Sequence, residues 1–229
     1  MNRFGKYLWK GLKALFFLLI LIINVLVLWR VLFSGDPSSV KPIMANENTM
    51  GAYKENGGKL ALYTQEQRTI SSSGKFSVTD CVFIPEAKQI QITVRYNNST
   101  LKYLAEDYGL NEVPDRKTDV FDVTLVKTLD LTPDNPDDNL DPEKLEEVRY
   151  YPSDEVLSAY KTLYSYRKYI FDGITHEDAV GIFVDFYYLE DTNYEETPYD
   201  ALCLYDALMP LEERALSRAD KKVLGKNED

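Results

Sequence analysis

Apolar residues run from Ala14 to Trp29 as ALFFLLILIINVLVLW, with Asn24 alone polar, and Val31, Leu32 and Phe33 continue the run past Arg30. A helix rises about 1.5 Å per residue, so the interval from Trp9 to Trp29 matches a hydrocarbon core of about 30 Å. Tyr7 and Trp9 at one end and Trp29 at the other stand where interfacial aromatics are expected. Arg30 can snorkel to the headgroups. The pattern predicts one transmembrane helix over 12–33, behind a basic N-terminus over 1–11.

Beyond the run the period changes. Residues 34–58, SGDPSSVKPIMANENTMGAYKENGG, are rich in Gly, Ser, Asn and Pro, show neither helical nor strand periodicity, and read as a flexible linker. From residue 59 onward the dominant period is two. Gln89 to Tyr96 sets Ile90, Ile92, Val94 and Tyr96 on one face and Gln91, Thr93 and Arg95 on the other, the alternation of a half-buried strand. Phe76 to Phe83 behaves similarly, with Pro85 to Lys88 as the connecting turn, and Asp119 to Thr128, Ala179 to Leu189 and Tyr199 to Asp206 add three more strands.

Lys161 to Phe171 fits a helical stripe or an aromatic-rich strand closing at Asp172-Gly173; the strand is the reading adopted. Helical signals are few. Leu101 to Tyr108 predicts a turn or two, Ser153 a cap for a short helix from Asp154, and Ser217 to Asp220 a capping box opening a C-terminal helix that Gly225 stops. The expectation is a mainly β protein: one extracytoplasmic β-rich domain over 59–229, an antiparallel Ig-like β-sandwich, with a short C-terminal helix.

Charge orients this arrangement. Arg3, Lys6, Lys10 and Lys13 precede the apolar run from Ala14 and no acid occurs before Asp36, which predicts a cytoplasmic N-terminus and a C-terminal domain outside the cell membrane. A cleaved signal peptide shares the basic start but needs small residues at its cut site, which Phe33 and Gly35 around Ser34 match poorly. The whole chain carries 26 basic and 37 acidic residues, a net charge of −11. The first 33 residues hold five of the bases and none of the acids, leaving 21 against 37 beyond them, a net of −16. Such a surface disfavours nucleic acid, which needs a basic face, and stands off anionic headgroups.

The segment from Phe171 to Leu224, with FDGITHEDAVGIFVDFYYLEDTNYEETPYDALCLYD and LSRADKKVL, resembles the C-terminal half of uncharacterised single-pass, membrane-anchored ectodomain proteins of Gram-positive bacteria. The resemblance covers about a quarter of the chain. It implies an extracytoplasmic β-rich domain of unassigned role and assigns no functional residue.

Candidate chemistry is sparse. His176 is the one histidine, so no triad or imidazole cluster forms within one chain, and Val180 stands where HExxH would need its second histidine. No P-loop or GxGxxG pattern occurs. Cys81 and Cys203 fall on two predicted strands outside the cell, where a disulfide can form; two buried thiols are the other reading.

The densest acidic stretch, Asp130 to Glu147, contains Asp134, Asp137, Asp138 and Asp141. These carboxylates are candidate calcium ligands, although the stretch lacks the spacing of an EF-hand and its prolines suit a solvated loop. Seventeen tyrosines include clusters at 150–151, at 160–169 and at 187–188, as half-buried strand residues or as platforms for a partner. The composite expectation is a membrane-anchored protein-interaction module without catalytic activity, needing no cofactor and meeting an extracytoplasmic protein or glycan. Calcium or cell-wall carbohydrate binding is the alternative, and a two-carboxylate hydrolase the third.

Overall fold

The computed structural model describes residues 3–29, 35–65, 68–130, 145–175, 181–206 and 211–225. The chain divides into two units, Met1–Asp36 and Pro37–Asp229. The first contains helix α1 (Arg3–Trp29). Its apolar stretch Trp9–Trp29 has a mean hydropathy of 2.7 and none of it is buried within the protein, so in length and composition it suits a membrane span. Asn24 is quieted locally: its side-chain amide donates to the Ile20 carbonyl at 2.8 Å, one helical turn back.

The second unit is β-rich. In chain order it holds α2 (Glu47–Glu55), β1 (Leu62–Thr64), β2 (Thr69–Ile70), β3 (Phe76–Ile84), β4 (Gln89–Asn97), α3 (Thr100–Asp107), β5 (Phe121–Asp130), β6 (Leu145–Tyr150), β7 (Leu157–Tyr160), β8 (Tyr164–Asp172), β9 (Gly181–Tyr188), β10 (Asp200–Asp206), β11 (Glu212–Arg214) and α4 (Arg218–Gly225). Two antiparallel sheets result, neither closed. The larger runs β11-β1-β3-β4-β8-β7 with β2 paired to β3, and the smaller runs β10-β9-β5-β6. The turn expected over Pro85–Lys88 is a 3-10 turn in which Lys88 takes a left-handed conformation at φ 48°.

Strand alternation builds one core between the sheets. Phe76, Cys81 and Phe83 from β3, Ile90, Ile92 and Val94 from β4, and Phe171 from β8 meet Val123 and Leu125 from β5, Val184 and Phe186 from β9, and Leu202 and Leu204 from β10. Phe76 stacks on Phe186 with ring centroids 4.1 Å apart and meets the edge of Phe121 at 4.9 Å.

Three expectations are corrected. Residues 34–58 are not a flexible linker: from Pro37 they belong to the folded unit, Ile43, Met50, Ala52 and Leu60 pack with Val82, Ile84 and Leu224, and Asn46 caps α2 by accepting from the Thr49 amide at 3.0 Å. The polar face of β4 is therefore not solvated. Gln89, Gln91 and Thr93 are buried, and the Gln91 side chain accepts from the Met44 amide at 2.7 Å while donating to the Met44 carbonyl at 2.9 Å. A strand-like amide clamp of this kind satisfies both groups without water.

Ser153 caps no helix. Its backbone amide donates to the Ile170 carbonyl at 2.8 Å, and the chain proceeds through an irregular stretch into β7. The capping box at the C-terminal helix forms as expected, with the Asp220 amide donating to Ser217 Oγ at 3.1 Å and the Ser217 amide donating to Asp220 Oδ2 at 2.9 Å.

A second polar cluster fastens the start of this unit. Lys168 on β8 is wholly buried; its ammonium donates to the Val40 and Pro42 carbonyls at 3.1 and 3.0 Å and to Asp80 Oδ2 at 3.2 Å. Asp220 on α4 is equally buried and accepts from the Ile43 amide at 2.8 Å and from Arg214 at 2.8 Å.

Candidate functional site

Alternation along the smaller sheet points Ile182, Val184 and Phe186 of β9 into the core and leaves Phe183, Asp185 and Tyr187 on its outward face. Neighbouring strands complete that face. Thr124 lies opposite Asp185 and Val126 opposite Phe183, and Arg149 of β6 lies opposite Val126. The loop from Tyr194 to Pro198, between β9 and β10, lines the other side. Together they form an open cleft of about 490 Å³ lined by Val126, Phe183, Arg149, Asp185, Tyr187 and Tyr194, with Glu147, Glu195, Glu196, Thr197 and Pro198 completing it.

A guanidinium organises the wall. Arg149 Nη1 donates to Thr124 Oγ1 at 2.8 Å and pairs with Asp185 Oδ2 at 3.1 Å. Its guanidinium carbon lies 5.5 Å from the Tyr187 ring centre and 5.3 Å from that of Tyr194, within cation-π range. Tyr194 and Tyr187 meet edge to face at 5.2 Å, and Tyr151 meets Tyr194 in the same manner at 5.2 Å. The Tyr194 hydroxyl donates to Asp122, and Asn193 steadies the loop by donating to Glu196 Oε1 at 2.9 Å.

Electrostatics follow from this enclosure. Burial pushes the Asp185 carboxyl above its ordinary value, opposed by Arg149. Arg149 is held above the ordinary guanidinium range despite the opposing effect of burial, because Tyr187 and Asp185 favour its charge. The Tyr187 and Tyr194 hydroxyls are pushed up, by burial first and then by Asp185 and Asp122 respectively, so both rings stay neutral at physiological pH. The lining therefore sets four carboxylates, Glu147, Asp185, Glu195 and Glu196, against one guanidinium. Glu147, Glu195 and Glu196 are exposed at the rim. The cleft is a tyrosine-walled, acid-rimmed recess whose one cation already has its counter-ion.

The cysteines are placed apart. Cys81 is buried in the core between the sheets, whereas Cys203 is half-buried beside the outward Phe183, between the inward Leu202 and Leu204. Both are free thiols in this arrangement. Sheets packed face to face lie about 10 Å apart, and a side chain on an outer face cannot reach a partner in the core between them. Burial, with a smaller push from Asp80, drives the Cys81 thiol far up and makes it inert. Thermal melts with and without reductant are expected to coincide; a fall in midpoint on reduction would contradict this placement.

Asp134, Asp137, Asp138, Asp141 and His176 lie outside the described residues. Among the described residues no group of three or more His, Cys, Asp and Glu side chains is spaced to hold a metal. No sequence motif singles out Arg149, Asp185 or Tyr194. Two signals pointed near them: an acid inside the apolar run of β9, which burial obliges to find a partner, and the tyrosine pairs at 150–151 and 187–188. Comparison with models of known families, with curated proteins and with solved structures finds no match for this chain.

Proposed function

We propose that the chain is a single-pass membrane protein with a cytoplasmic N-terminus, whose body is an extracytoplasmic, non-catalytic interaction module of Ig-like sandwich type that engages its partner through the outward cleft of the smaller sheet. One observation carries the reading: an apolar helix with no buried residue forms a unit of its own, and the folded β body bears an open, charged cleft on a sheet face. The four bases ahead of the apolar run from Ala14 support the orientation, and the acidic body suits the outside of a membrane. The shared core of the two sheets supports the sandwich. Anchoring concentrates such a module near its partner.

The test is made on intact cells expressing the full chain. External protease is expected to remove the body while the membrane-embedded N-terminus keeps residues 1–33. A photo-crosslinking residue in place of Tyr194 is expected to trap a discrete extracytoplasmic protein, whereas one in place of Tyr103, exposed on α3, traps none. Protection of the body in intact cells, release of a chain lacking residues 1–33, or equal trapping from both positions would overturn the proposal.

A further inference from the structure

We infer that the outward cleft docks a lysine side chain of a partner polypeptide, a primary ammonium on an aliphatic stem. This deepens the interaction reading and rests on it.

The cleft has the two surfaces such a group requires. Its floor is apolar: Val126 is 5% exposed and Phe183, in the next strand, is 38% exposed, so an aromatic surface stays open within a charged recess. Its rim is anionic through Glu147 on β6 and Glu195 and Glu196 on the 194–198 loop. A long basic side chain buries its methylenes on apolar surface while its charge stays at a wet, acidic edge. The neighbouring wall already shows how this site treats a cation. Arg149 is held by a carboxylate, a hydroxyl and two tyrosine rings, an arrangement that neutralises Asp185 and leaves the rim acids in excess.

Anions meet three like charges at the entrance, so phosphates, sulfates and acidic peptides are disfavoured. A neutral sugar leaves the rim charge uncompensated. An ammonium satisfies both floor and rim. Its attraction is steered by the acidity of the body and weakens as salt screens it.

The test uses the full chain in neutral detergent micelles, with amide chemical shifts as the readout. Tetralysine peptide is expected to move the amides of Arg149, Phe183 and Glu195, with affinity falling as salt rises. The same peptide acetylated at every Nε is expected to bind at least tenfold more weakly. The double variant Glu147→Gln, Glu195→Gln is expected to lose about tenfold, each tenfold being about 1.4 kcal/mol. Phe183→Ala loses several-fold through the stem, and Glu55→Gln, an exposed acid on α2, changes nothing.

A parallel titration with 1,5-diaminopentane separates the sources. Affinity much weaker than that of tetralysine is expected for a polypeptide side chain, and affinity equal to it would assign a free small amine and overturn the inference. Binding that survives acetylation, shifts scattered over the acidic surface, indifference to the double variant, or preference for a neutral oligosaccharide would each overturn the inference. Any of these leaves the membrane-anchored module standing, since topology and trapping at residue 194 are read separately.

Discussion

Replacing Lys168 with methionine is expected to lower the stability of the body by about 3 kcal/mol, the lower end of the cost of breaking a buried ion pair by removing one partner. Over the 193 residues from Pro37 to Asp229 that corresponds to a fall in Tm of roughly 10 °C. The methionine keeps the stem and removes the ammonium, leaving the Val40 and Pro42 carbonyls without its hydrogen bonds and Asp80 without its counter-charge. Asp80 retains 29% side-chain exposure and rehydrates in part, which is why the lower end applies. Adding Asp80→Asn should recover some of the loss. Urea unfolding of the full chain in micelles measures both, and a loss below about 1 kcal/mol for Lys168→Met would show that the cluster does not fasten residues 40–43.

The other buried charge of this cluster, Asp220 paired with Arg214, adds a pH signature. Asp220 sits below the ordinary carboxylate value: burial opposes its charge, but Arg214, Ser217 and the Ile43 amide outweigh that. Its folded value is thus depressed, so its contribution is complete above the unfolded value of about 3.9 and disappears as pH falls through the folded one. Lys168 has the opposite consequence. Burial lowers its value, the unfolded chain holds that proton more tightly, and the cost is relieved as pH rises toward 10.5. Asp220→Ala should therefore lower stability at neutral pH and flatten its decline below about pH 4.

Truncating Phe76 to alanine should cost about 3 to 5 kcal/mol, the range for removing a buried phenylalanine ring. The ring is 1% exposed and touches both sheets, stacking on Phe186 and abutting Phe121. The sheets cannot close on the cavity without moving whole strands. Phe183→Ala, on the opposite face of the smaller sheet, should cost less than about 1 kcal/mol because its ring is already 38% exposed. The contrast separates fold from site: the first variant should lower the urea midpoint markedly, and the second should leave it nearly unchanged while weakening ammonium binding. Equal losses from both would remove the distinction between core and cleft floor.

Much of the architecture was legible as periodicity. Alternation located β3, β4, β5, β9 and β10 to within a few residues, the strand reading of Lys161 to Phe171 matches β8, and the Ser217 to Asp220 capping box opens α4. Local steric and hydrogen-bonding preferences decide those features, and such preferences are written in neighbouring residues. The apolar helix α1 is legible for the same reason, since the backbone groups of such a run satisfy themselves along one helix.

Residues 34–58 look like a linker in the sequence because the order of the stretch from Pro37 onward is borrowed. Nothing between Ser34 and Gly58 is periodic; those residues are held by Gln89, Gln91, Lys168 and Asp220, tens to more than a hundred positions away. The polar face of β4 looked solvated for the same reason, as its cover is remote in the chain. The cleft has the same character: Arg149 finds Asp185 across 36 positions and Tyr194 finds Asp122 across 72. The sequence alone thus determined the long apolar character of the N-terminal helix, the β class and the acidity of the body. Only the tertiary structure decided which polar residues are buried, that the cysteines lie apart, and that tyrosines and acids converge in one recess, because long-range contacts depend on which strands become neighbours.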